Sequence, residues 1–135
     1  MDRTQKLQSI RPLIASAKMM PNMSDDERFQ NLTLRPIIKL QNDLILASFQ
    51  NYIKKMKSAF YELKLEKRID YIAKSIQKDI KFRNSLKGMI IGQFTIEEYE
   101  IYIQNSSALN KRMMNIVIKR IQDQIQYFEK LALVQ

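Results

Sequence analysis

Two glycines and three prolines are all that punctuate this chain of 135 residues. Average usage is about 7% glycine and 5% proline, and both residues mark where regular structure stops. So little punctuation leaves long helices or disorder. The chain is also 45% hydrophobic and rich in Ile, Leu and Met, which argues against disorder. The expected class is all-α: an irregular helical bundle with a long kinked helix after residue 24 and a long C-terminal helix.

Residues 1–23 read as an N-terminal arm and residues 24–135 as a single helical domain. Pro12 and Pro21 bracket an apolar stretch, 13–20, expected either as a helical turn packed on the body or as mobile chain. Ser24, Asp25, Asp26 and Glu27 have the form of a capping box, with acids at the positive end of the helix dipole. Pro36 cannot donate to the carbonyl of Leu32, so a kink or restart is expected there. Beyond it, Ile37, Leu40, Leu44, Ile45, Phe49, Tyr52, Ile53, Met56, Phe60 and Leu63 recur at three- and four-residue steps. That spacing predicts one helix of about 27 residues and about 40 Å.

A second helical pattern, Leu65, Ile69, Ile72, Ala73, Ile76 and Ile80, carries lysines on its other face. Its phase changes near Phe82, predicting either a break around residues 83–85 or burial on two sides. Gly88 and Gly92 then mark an end or a tight helix–helix approach. Thr95, Ile96, Glu97 and Glu98 form a second capping-box signature. Asn105 is a candidate N-cap for a last helix with Leu109, Met113, Ile116, Val117, Ile121, Ile125 and Phe128 on its apolar face.

The chain has neither histidine nor cysteine, which excludes disulfides, thiolate metal sites and the commonest catalytic base. No cofactor is implied. The remaining acid–base candidates are Glu97, Glu98 and Glu100. Glu97 and Glu100, three apart on a helix, have the spacing to share a hard cation, while the simpler reading is that the acids complement the helix dipole. An enzyme built on these carboxylates with lysine or tyrosine is a distant third reading.

The net charge of +9 is uneven. Residues 51–90 hold 11 basic and 4 acidic side chains, whereas residues 91–135 hold 5 of each. Lys67, Lys74, Lys78 and Lys81, with Arg83 and Lys87, form a basic helix face. Such a face either is ordinary solvated surface or neutralises an anionic partner: RNA, DNA or an acidic protein. Ser106, Ser107, Lys111 and Arg112, at the start of the last helix, are a candidate anion site. Met19, Met20, Met23, Met113 and Met114 suit either core filling or an adaptable interface. Apolar runs such as 44–49 are far short of the roughly 20 residues that span a bilayer, and no leader is visible. A cytoplasmic location follows as the default expectation.

Residues 27–43 (Glu27 to Asp43), together with residues 81–88 (Lys81 to Gly88) and 105–113 (Asn105 to Met113), resemble a family of short all-helical bacterial proteins without assigned activity, some of whose members carry the label glyoxalase. The resemblance covers most of the chain beyond residue 24. Metal-dependent glyoxalases of the lyase type are mixed α/β proteins with His and Glu ligands. Since this chain has no histidine, the resemblance implies no functional residue.

The sequence thus favours a non-enzymatic binding or scaffold module that meets an anionic partner through its basic face. The alternative is a helical assembly subunit, homo-oligomeric or joined to other proteins through apolar Met- and Tyr-bearing surface, with the charge serving solubility only.

Overall fold

In the computed structural model, which describes residues 1–14, 19–56 and 59–129, Pro36 does not break its helix. Asp25–Phe29 (α2), a π-helical turn over Gln30–Leu34 and Arg35–Leu40 (α3) follow one another without interruption. The Arg35 amide donates to the Gln30 carbonyl, five residues back. Widening the turn by one residue absorbs the clash that a proline ring makes with the carbonyl four residues earlier. The expected kink or restart takes the form of this π turn, with α3 restarting at Arg35.

The single long helix expected from Pro36 to Leu63 is also divided. Its second part, Asn42–Lys55 (α4), starts after Gln41, whose side-chain amide donates to the Met89 carbonyl at 2.8 Å. Beyond it Ile45, Phe49 and Ile53 continue the buried face of Ile38, while Leu44 is 49% exposed. Further along, Ala59–Glu62 forms a 3-10 turn. Phe60 thereby packs 6.1 Å from the Phe49 ring and 6.0 Å from Phe128. Burial of one large ring outweighs a helical pattern that continues in the sequence.

Leu65–Lys78 (α5) and Ile80–Ile91 (α6) meet at Asp79, whose extended backbone (φ −85, ψ 95) turns a corner. The Asp79 carboxylate accepts from the Phe82 amide at 3.1 Å and so starts α6. The break falls here, ahead of the expected 83–85. Gly92 ends α6; a Cβ there would meet the Gly88 carbonyl oxygen at 3.0 Å, whereas Gly88 has nothing within 4 Å. The pair therefore marks a helix end, not a close helix–helix approach.

Thr95 opens Ile96–Tyr102 (α7) with both halves of the expected capping box. At Ser24 only the first half forms: the Glu27 amide donates to its hydroxyl, which in turn donates to the Glu27 carboxylate. The last helix, Ser106–Asp123 (α8), touches α3, α4, α5, α6 and the π turn, and so forms the spine of the bundle. Met113, Val117 and Ile121 lie on its fully buried face, opposite Ile37, Phe49, Ile76, Leu86 and Ile90 in the shared core. Each such side chain contributes about 1.5–3 kcal/mol by leaving water. Met113 and Met114 are core residues, while Met19 and Met20 are exposed.

The arm is docked. Its helix, Arg3–Ser9 (α1), lies ahead of the apolar stretch where a turn was expected, and of that stretch residues 15–18 lie outside the described residues. Arg3 donates to the Phe94 and Gly92 carbonyls at 2.7 and 3.2 Å. Among the described residues there is no strand, and no helix is long and apolar enough to cross a membrane.

Candidate anion-binding grooves

Residue 79 decides where the expected basic face goes. Because α5 and α6 turn a corner there, the cations do not share one straight ridge. Lys67 stands exposed on α5 and lines none of the grooves described below. Lys74 and Lys78 flank a shallow surface with Tyr71 and Ile80. Lys81 joins Lys55 around a small groove of about 300 Å³ that contains Tyr52 and Phe82. At the corner the Tyr52 hydroxyl donates to Asp79 at 3.2 Å. Burial first, then the Asp79 hydrogen bond and charge, raise the phenol above its ordinary range and keep it a donor.

Arg83 and Lys87 point the other way, into a groove of about 400 Å³ between α6 and α8. There they meet Ser107, Asn110, Lys111 and Asn115, and no carboxylate lines this groove. Arg83 also donates to the Gln77 carbonyl at 2.7 Å, which ties it to the C-terminal end of α5. Two of the expected groups, the basic face and the start of α8, thus meet here.

The second group is itself divided. Ser106 is half-buried and lines none of these grooves. Asn105 occupies the N-cap position but makes no side-chain cap bond; its amide donates to Asp26 instead, at 2.9 and 3.0 Å. Lys111 faces α6, while Arg112, one residue on, falls on the opposite shoulder of α8. It lines a groove of about 710 Å³ with Gln30, Arg35, Lys119, Arg120 and Asp123. Arg35 and Arg120 were invisible as partners in the sequence, because they lie 85 residues apart and the π turn that aims Arg35 has no sequence signature.

The carboxylates are committed differently. Glu98 accepts from Arg11 at 2.6 and 2.7 Å, from the Thr33 hydroxyl at 3.0 Å and from the Thr95 amide at 2.9 Å. Burial alone would push its carboxyl up, but the hydrogen bonds and charge of Arg11, with those from Thr95 and Thr33, hold it below its ordinary range. It is a structural acceptor that joins arm, π turn and α7. Glu97 and Glu100 are exposed on α7. Among the described residues no three Asp or Glu side chains gather as metal ligands would.

No protein-family model matches this chain, and no curated protein or solved structure matches it either.

Proposed function

We propose that this helical domain is a non-enzymatic binding or scaffold module that engages an anionic partner, a nucleic acid or an acidic protein surface, through the groove between α6 and α8 and the lysines of the neighbouring corner. The observation that carries this reading is the gathering of Arg83, Lys87 and Lys111 from two helices with no carboxylate among the groove residues. Scattered surface lysines are usually interleaved with acids, and their fields cancel. The side chains Ser107, Asn110 and Asn115 add neutral hydrogen-bonding groups suited to phosphate or carboxylate oxygens. A chain without histidine or cysteine, whose best-placed carboxylate is consumed by Arg11, supports binding over catalysis.

Fluorescence anisotropy with a mixed-sequence RNA, a DNA duplex and an acidic peptide, each at 50 and 200 mM salt, tests the reading. Three phosphate contacts on duplex DNA would weaken binding about 40-fold between those salts. Charge reversal of Arg83, Lys87 and Lys111 to glutamate should abolish binding. Reversal of Lys74, Lys78 and Lys81 should weaken it less. A wild type that binds none of the three probes rejects the proposal.

A second reading has its own support. α7 leaves Ile96, Tyr99 and Ile103 exposed at helical spacing, and Ile101 lies beside exposed Leu32 in an adjoining groove. An apolar stripe of that kind suits an assembly subunit. Light scattering across concentration tests it: a wild type that stays monomeric over the whole range counts against it.

A further inference from the structure

We propose that the groove between the π turn, α3 and α8 is a binding site for a small polyanion carrying two or more phosphoryl groups, held by Arg35, Arg112 and Arg120. The three guanidiniums share one mode of anchoring. Each is oriented by a neutral side-chain amide oxygen: Arg35 by Asn31 at 3.1 Å, Arg112 by Gln30 at 3.0 Å and Arg120 by Asn42 at 3.3 Å. None forms an ion pair among the described residues. The acid within the groove, Asp123, pairs with Lys119 at 3.1 Å, so those two largely cancel. Three fixed positive charges then face that single, already paired acid.

This is a costly arrangement for the empty protein. All three side chains are half-buried. Burial, and next the neighbouring charge of Arg35, lower the Arg120 pKa from its ordinary range, with Asp123 opposing. Like charges held together in a partly desolvated groove repel, and an anion relieves both the repulsion and the desolvation. The amide anchors keep one edge of each guanidinium in place, which leaves further N–H donors suited to phosphate oxygens. Arg35 is set in place by the π turn, since its amide closes the bond to Gln30, and Gln30 itself holds Arg112. Such turns recur at functional sites.

The ligand class follows from spacing and volume. Arg112 and Arg120 stand eight residues apart on α8, about 12 Å along the axis at 1.5 Å per residue. Guanidiniums that reach inward from positions so far apart each need an oxygen of their own, which a phosphoanhydride chain offers on successive phosphoryl groups and a single orthophosphate offers less well. The groove of about 710 Å³ lies within the usual range for small-molecule sites of about 300–1,000 Å³. The shared chemistry is the phosphoanhydride, carried by a nucleotide or free as inorganic polyphosphate. The site is separate from the α6–α8 groove, although Asn115 borders both.

Calorimetric titration of the full chain with pyrophosphate, tripolyphosphate, ADP and sulfate at 150 mM salt tests this. Tripolyphosphate should bind at least tenfold more tightly than sulfate. ADP that binds more tightly than pyrophosphate assigns the site to nucleotides; equal affinity assigns it to inorganic polyphosphate. Arg35→Gln and Arg120→Gln should each reduce affinity tenfold or more, while Lys54→Gln, at an exposed lysine that lines neither groove, leaves it within twofold. Without ligand, Arg35→Gln should keep or raise the Tm, since it removes a repulsion; a structural arginine would lower it. Should a variant fail to fold, amide chemical-shift mapping on the wild type takes its place: perturbations at the π turn and residues 112–124 support the site. A wild type that ignores every phosphate, shifts that map elsewhere, or binding of an oligonucleotide without tripolyphosphate overturns the proposal.

Discussion

Arg11 and the arginines of the π-turn groove are held in contrasting ways. Arg11 meets a carboxylate: Glu98 takes two of its N–H bonds, and the side chains are only 10% and 14% exposed. Among the described residues, Arg35, Arg112 and Arg120 meet amide oxygens and no carboxylate in hydrogen bonds. Both arrangements fix a guanidinium in place, but only the first neutralises it. An arginine with its own acid has satisfied its charge within the fold and holds structure together. An arginine steered by an amide keeps its full charge for something outside. Counting cations by sequence cannot separate these two cases, although the distinction decides which of them are available.

The largest consequence is on stability at the paired site. Arg11→Ala leaves Glu98 facing the core side of the arm without its cation. The loss should be about 3 kcal/mol, the low end for breaking a buried pair, because Thr95 and Thr33 still donate to the carboxylate. Urea unfolding followed by far-UV dichroism measures it. A loss below about 1 kcal/mol would place this pair with ordinary surface bridges and erase the contrast.

Acid should reproduce part of that loss. Glu98 is held below its ordinary range in the folded state. As pH falls, the unfolded chain therefore takes up this proton first, which favours unfolding. The contribution of the pair is complete above the ordinary carboxylate range and fades as pH drops through the lower, folded value. Wild type should lose stability over that window more steeply than Glu98→Gln. Parallel pH profiles for wild type and Glu98→Gln would show that the carboxyl is not depressed.

The fold class was legible because it rests on local quantities. Scarce glycine and proline, three- and four-residue apolar spacing, and the Ser24 and Thr95 caps are written within a few residues of where they act. The breaks were not. Pro36 signals trouble for a regular helix but cannot say that a π turn will absorb it. Gln41 and Phe60 leave the helical run because of Met89 and Phe128, which are 48 and 68 residues away. The expected site residues part company for the same reason. Lys111 and Arg112 look like one cluster in sequence, yet consecutive helix positions differ by about 100° and these two face opposite grooves. Arg83 and Lys87, by contrast, sit four apart on one face of α6 and stayed together.

The smallest expected effect sharpens the comparison most. Asn42 accepts from Arg120 at 3.3 Å and from the Gln124 amide at 2.7 Å, and it donates to the Gln124 oxygen at 3.1 Å. Asn42→Ala removes this anchor but no charge. Stability should fall by only about 1 kcal/mol, the ordinary scale for neutral hydrogen bonds. Affinity for tripolyphosphate should fall several-fold, because Arg120 keeps its charge but loses its fixed direction. Asn42→Asp is the complementary change. It supplies Arg120 with the acid that Arg11 already has, so it should leave the fold as stable as wild type or more so while weakening the phosphoanhydride further than alanine does. If both variants bind like wild type, the amide anchors do not hold the guanidiniums ready, and the three arginines are surface charge like the lysines of α5.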